Sequence, residues 1–141
     1  MRLTSYTDYG LRALMRLAGE PDRQFTSDEM ADELEISRYH LVKIVRDLAS
    51  AGFVSTIRGA GGGFALARPA DEISIGAAVR HLERRQALVE CFRADGGCCV
   101  LTPRCRLKRR LHDAREAFFK ELDATMLSEC AVRRVAIPAS R

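Results

Sequence analysis

Residues 26–68, TSDEMADELEISRYHLVKIVRDLASAGFVSTIRGAGGGFALAR, place two helical patterns and one strand pattern in immediate succession. Thr26, with Glu29 three residues on, makes a capping box, and Met30, Ala31 and Leu34 supply an apolar stripe behind it. A short turn around Ile36 reaches Ser37, the N-cap of a helix bearing Leu41, Ile44, Val45 and Leu48. Gly52 fits the left-handed position at that helix's C-terminus. Two helices joined by about three residues, the second ending in glycine, are the pattern of a helix-turn-helix. Phe53–Arg58 and Phe64–Ala67 follow as two strands about a glycine-dense turn. The expected fold is therefore mainly α with a small β-hairpin: a winged helix-turn-helix.

The flanks extend this unit. Residues 5–19 carry Leu11, Leu14, Met15 and Ala18 at helical spacing, and Ser74 caps a short helix through Ile75, Ala78, Val79 and Leu82. Thr102 as N-cap with Pro103 at the first helical position announces a further helix. Along it Leu107, Leu111, Ala114, Phe118, Leu122 and Met126 recur at spacings of three and four. Such a helix, of roughly 23 residues, extends about 35 Å. That length of apolar stripe exceeds what so small a domain covers, so it predicts a dimerisation helix in a homodimer. The organisation expected is residues 1–85 as DNA-binding domain, 86–103 as cysteine loop, 104–128 as dimerisation helix and 129–141 as flexible tail.

Charge placement points to the partner. Residues 1–36 carry four basic and eight acidic side chains, a net of −4, whereas residues 37–68 carry five basic and one acidic, a net of +4. The positive segment is a phosphate-facing surface. In a winged helix the second motif helix enters the major groove of double-stranded DNA, so Ser37, Arg38, Tyr39, His40 and, a turn later, Lys43 are the reading residues. Arg38 can donate bidentately to guanine, and Ser37 and Tyr39 can bond phosphate. His40 reads as a polar surface residue rather than a catalytic one. In the wing, Arg58 supplies charge while Gly61 and Gly62 let the backbone approach a groove closely. The glycine run is no phosphate-binding loop, because it joins two strands and lacks the lysine followed by Ser or Thr.

Four of the five cysteines fall in residues 91–105, CFRADGGCCVLTPRC. The N-terminus lacks a signal-peptide core and the longest apolar run is too short to span a bilayer. A cytoplasmic location with reduced thiols is expected, and together with the odd count it disfavours a disulfide staple. Seven residues separate Cys91 from Cys99 and five separate Cys99 from Cys105, so the two close pairs of a structural zinc site are missing. An iron–sulfur cluster is larger and accepts wider spacing. Cys105, in the first turn after Thr102, gains from the helix dipole, and Arg104, Arg106, Lys108, Arg109 and Arg110 offset thiolate charge. Three thiolates leave a cubane one ligand short; Cys98, Cys130 or an oxygen donor can fill the place.

Four segments taken together, MRLTSYTDYGLRALMRLA, SRYHLVKIVRDLASAGFV, IRGAGGG and the run from VRHLERRQALVECF to CVLTPRCRL, resemble a family of iron–sulfur winged-helix transcriptional regulators, in particular its nitric-oxide-sensing branch. The resemblance runs from Met1 to Leu127. It implies a homodimeric repressor on palindromic promoter DNA, with nitric oxide as the signal and no enzymatic activity. It also implies a four-iron, four-sulfur cluster, with a two-iron, two-sulfur cluster as the alternative, held by Cys91, Cys99 and Cys105. In that branch an aspartate of the first helix, given by the partner subunit, can be the fourth ligand; Asp8 matches it, and Arg12 is placed to hold its carboxylate.

Two departures remain. Cys98 is an extra thiol beside Cys99, and the Cys91–Cys99 loop and its ECF opening approach the iron-responsive branch. The cluster-status branch fits less well, since its histidine three residues after the third cysteine is Lys108 here. Two other classes stay open at this level. An iron–sulfur carrier enzyme would bind a cluster but no specific DNA. A DNA-binding protein with structural cysteines would bind DNA without regard to iron or nitric oxide.

Overall fold

Three hydroxyl residues start three helices by taking an otherwise unbonded amide of the first turn. Thr4 accepts from the Thr7 amide, Thr26 from Glu29 and Ser74 from Ala77. The structure, a computed structural model, describes residues 2–134. The helices begun in this way are α1 (Ser5–Gly19), α2 (Ser27–Leu34) and α4 (Ile75–Glu83). Between α2 and α4 lie α3 (Arg38–Ser50) and the antiparallel strands β1 (Val54–Ile57) and β2 (Gly63–Leu66), paired from Val54↔Leu66 to Ile57↔Gly63. The winged helix-turn-helix is present as expected.

Two local details differ from the sequence reading. Only the threonine half of the Thr26–Glu29 capping box forms, because the Glu29 carboxylate is drawn instead to the Arg23 guanidinium. Ser37 occupies the N-cap of α3 without a side-chain cap bond. Gly52 does take the left-handed conformation after α3, at φ 77°.

The core is one cluster. Leu14 and Leu17 of α1, Met30 of α2, Leu41, Ile44 and Leu48 of α3, and Val79 of α4 are all buried together. Phe25, in the α1–α2 connection, pins the hairpin to this core. Its amide donates to the Phe64 carbonyl at 2.9 Å and its carbonyl accepts from the Phe64 amide at 2.8 Å. The backbones meet so closely that a Cβ on Gly63 would lie 2.5 Å from the Phe25 carbonyl oxygen. The Phe25 ring also meets the guanidinium groups of Arg16 and Arg23, at 4.7 and 4.4 Å from its centre.

The last helix departs most from expectation. Thr102–Arg104 forms a 3₁₀ turn, Cys105 is extended at φ −80°, ψ 106°, and α5 spans Arg106–Asp123, 18 residues rather than 23. The break falls at the extended Cys105, and the like charge of Arg104 and Arg106 on either side of it opposes a continuous helix at its positive end. The C-terminal part of α5 packs on the core through Phe118, Phe119 and Leu122, and Arg80 both stacks on Phe119 at 4.6 Å and pairs with Asp123. No residue of α5 is buried, and Leu107 is 62% exposed.

Beyond α5 the chain turns back at Leu127–Cys130, where Leu127 is fully buried and its amide bonds the Ile73 carbonyl at 2.8 Å. The Val132 amide bonds the Met15 carbonyl at 2.9 Å, so the segment read as the start of a flexible tail is fastened to α1. The rest of that segment, residues 135–141, lies outside the described residues.

The end of α4 ties the helices together. One oxygen of Glu83 accepts from the Thr4 amide at 2.8 Å, the Thr4 hydroxyl at 2.8 Å and the Thr7 hydroxyl. Next to it, Arg84 grips Asp47 of α3 in a fork, at 3.0 and 2.7 Å. Asp47 also takes the Tyr6 hydroxyl at 3.1 Å and lies 3.1 Å from His81 Nε2. Burial alone would push the Asp47 carboxyl up, but the Arg84 fork and the Tyr6 hydroxyl outweigh it and hold the group below its ordinary value. Replacing Glu83 with Ala leaves the buried Thr7 hydroxyl without its charged acceptor. The expected cost is about 1–3 kcal/mol of unfolding free energy, read as a lower urea midpoint at unchanged m-value.

Candidate nucleic-acid interface and cysteine loop

The first turn of α3 faces outward because its apolar residues, Leu41, Ile44, Val45 and Leu48, are spent on the core. That leaves Ser37, Arg38, Tyr39, His40 and Lys43 exposed, with Tyr39 at 64%. The Lys43 ammonium sits 4.4 Å over the Tyr39 ring, and the Tyr39 and His40 rings lie 5.8 Å apart. Arg38 is paired with Asp28 of α2 at the exposed mouth of the motif. A groove of 810 Å³ separates this face from the wing, with Arg38, Arg46, Ile57, Arg58, Gly61 and Gly62 among its lining.

Of the residues expected from the sequence, Ser37, Tyr39, His40 and Lys43 lie exposed at the start of α3 outside that lining, whereas Arg38, Arg58, Gly61 and Gly62 share the groove. Arg46 joins them, although sequence reasoning left it out. Its position two helical turns after Arg38 was the available signal. Arg38 and Arg46 on one wall and Arg58 on the other outnumber Asp28, the one acid in the lining, and such an excess of positive charge suits a polyanion that gives up its counterions. Arg46→Ala is expected to weaken DNA binding across sequences alike and to reduce the slope of log affinity against log salt by about 0.9. Titrations at several salt concentrations measure it.

The cysteine loop begins where α4 ends. Glu90–Phe92 forms a 3₁₀ turn, and the chain then doubles back on it. Gly97 has φ +62°, and a Cβ there would lie 2.3 Å from the Glu90 carbonyl oxygen, so no other residue fits the approach. The Cys98 amide donates to Glu90 Oε1 at 3.2 Å, which closes the loop. Asp95 is held by the Arg93 fork, at 3.1 and 2.7 Å, and by the Gly97 amide at 3.0 Å, and these bonds lower its carboxyl below the ordinary value. Phe92 anchors the loop to α5, with Arg115 5.0 Å over its ring and His112 edge-on at 6.3 Å.

Burial separates the cysteines. Cys91, Cys99 and Cys105 are half-buried while Cys98 is exposed, and all are free thiols. Cys105 is the N-cap of α5 and not, as the sequence suggested, a residue inside its first turn. The first turn of α5 holds no acidic residue, so the positive helix end faces further positive charge. Near it the Thr102 hydroxyl is buried without a hydrogen-bond partner. Among the described residues no three His, Cys, Asp or Glu side chains gather closely enough to hold a metal ion. The loop presents Cys91, Cys99 and Cys105 without bringing them to one point. Asp8 stands apart on α1, its carboxylate gripped by Arg12 at 2.7 Å as the spacing suggested.

Comparison with known proteins finds relatives over nearly the whole chain. The family model Rrf2, described as iron-dependent transcriptional regulator, matches residues 3–132. The HTH-type transcriptional regulator NsrR of Geobacillus kaustophilus strain HTA426 is 46% identical over 138 residues, which cover 97% of this chain and 94% of that protein. Among solved structures, CymR (YrzC), the global cysteine regulator of B. subtilis, superposes with a TM-score of 0.73 at 30% identity, over 93% of this chain and 96% of that one. T. potens IscR superposes with a TM-score of 0.70 over 92% and 85% of the two chains; at 23% identity that likeness concerns the fold. Among the described residues no helix is long and apolar enough to cross a membrane. The chain belongs to the Rrf2 family and is a transcriptional regulator built on a winged helix.

Proposed function

We propose that this regulator is a repressor that binds palindromic promoter DNA as a homodimer, carries a four-iron, four-sulfur cluster and is released from DNA by nitric oxide. The observation that carries the reading is the cysteine loop. Three of its thiols, Cys91, Cys99 and Cys105, are half-buried, and Cys105 caps the positive end of a helix with no acid in its first turn, near a buried hydroxyl without a partner. That donor chemistry fits an anionic sulfur-ligated group. The likeness to NsrR and the family's iron-dependent description support the same reading.

Cys91, Cys99 and Cys105 would supply the thiolates, and the exposure of Cys98 argues for Cys99 over its neighbour. Asp8 would supply the fourth donor from the partner subunit. A bound cluster supplies iron, the atom with which nitric oxide reacts. The chain's own residues do the rest. A carboxylate is a weaker donor to iron than a thiolate, so Asp8 is the corner most easily lost. Arg12 already grips that carboxylate at 2.7 Å and is in place to receive it on release. Since Asp8 lies on α1, whose start is fastened to Glu83, its attachment bears on the placing of the DNA-binding unit. The exposed Leu107, on a helix none of whose residues is buried, supports dimerisation through α5. In this reading residues 1–85 bind DNA, 86–103 hold the cluster and 104–128 dimerise.

A second reading, an iron-responsive regulator of the same family, is favoured by the seven-residue Cys91–Cys99 interval. Anaerobically purified protein is expected to show iron–sulfur absorbance and to lose its operator in a gel shift when nitric oxide is added; release by iron chelation alone would favour the second reading. Cys99→Ser should lose the absorbance and Cys98→Ser should keep it. Asp8→Ala is expected to keep iron while its operator affinity or nitric-oxide response changes. A shift of about 1000-fold would correspond to about 4 kcal/mol. An unchanged affinity and response would remove Asp8 from the mechanism.

A further inference from the structure

Asp47 and Arg84 join the two parts of the molecule that a regulator must connect. Asp47 lies one turn after Lys43 on the reading helix, with a carboxylate only 14% exposed. Arg84 is the C-cap of α4, where the chain leaves for the cysteine loop, seven residues before Cys91. Its guanidinium spans the boundary. One nitrogen donates to the His81 carbonyl at 2.6 Å, closing α4, and to Asp47 Oδ2 at 3.0 Å, while the other donates to Asp47 Oδ1 at 2.7 Å. Tyr6 adds a third helix to the same point, donating to Asp47 Oδ2 at 3.1 Å and reaching the Lys43 carbonyl at 3.3 Å.

A bidentate fork transmits orientation as well as distance, because both parallel bonds are lost if either plane tilts. Half-buried carboxylates with a full set of donors do not exchange partners freely, so the root of the loop and the reading helix cannot shift independently. We propose that the Asp47–Arg84 pair is the link through which the state of the cysteine loop sets the position of the reading helix, with both residues acting as positioning residues. The proposal rests on the reading of that loop as the sensing site.

The test compares amide hydrogen exchange along α3 in the full chain, cluster-loaded and cluster-free, without DNA. A coupled helix in the wild type is expected to differ between the two forms by about 5- to 150-fold. In Asp47→Asn and Arg84→Gln the two forms should agree within about twofold while iron content stays as in the wild type. A merely structural role would raise exchange in both forms alike and leave their ratio intact, and retention of the wild-type ratio in either variant overturns the proposal. Should Asp47→Asn fail to fold, Arg84→Lys decides, since it keeps the charge and loses the fork. If wild-type α3 exchange is indifferent to the cluster although nitric oxide still releases DNA, the link is wrong and the sensing reading stands. If the wild type purifies anaerobically without iron, both fall together.

Discussion

The structure turns on two adjacent residues at the end of α4. Glu83 draws the start of α1 to itself through the Thr4 amide and two hydroxyl groups, and Arg84 draws α3 through Asp47. Charged acceptors and donors in such positions carry more weight than exposed ion pairs, because leaving one unbonded costs its full desolvation. The apolar core would let three helices slide by small amounts at little cost, whereas these directional bonds do not. They also stand where the chain leaves the DNA-binding unit for the cysteine loop, so whatever moves the loop pulls on its attachment to two helices.

The second constraint is the divided character of α5. Its last turns belong to the core, held by Phe118, Phe119, Leu122 and the Arg80–Asp123 pair. Its middle turns hold the cysteine loop through His112 and Arg115 on Phe92, and its first turn leaves Leu107 to solvent. A helix fixed at one end and exposed at the other is suited to meeting a second copy while holding the loop at a defined distance from α4. Concentrated positive charge at its beginning, with no acid in the first turn, accounts for the broken 3₁₀ start.

Much of this was legible in local patterns. The hydroxyl caps at Thr26 and Ser74, the left-handed Gly52, the hairpin and the outward face of Ser37 to Lys43 all follow from periods and caps within one element. The Asp8–Arg12 pair follows from helical spacing alone. The misreadings arose where a partner outside the local pattern won. Glu29 left its capping box for Arg23, and residues 129–132, read as the start of a flexible tail, returned to α1. Arg46 was missed because its role depends on the wing that faces it across the groove.

Residue order by itself determined the helix-turn-helix with its wing, the charged reading face and the unusual density of thiols before a basic helix. Those are consequences of spacing within about ten residues, where the backbone's own geometry limits the outcomes. Tertiary structure alone decided that Cys98 is exposed while its neighbour is sheltered, that Gly97 must meet Glu90, and that Asp47, Tyr6, His81 and Arg84 converge on one carboxylate. Contacts between residues thirty to eighty positions apart have no period to reveal them; they exist only once the core has fixed how three helices cross.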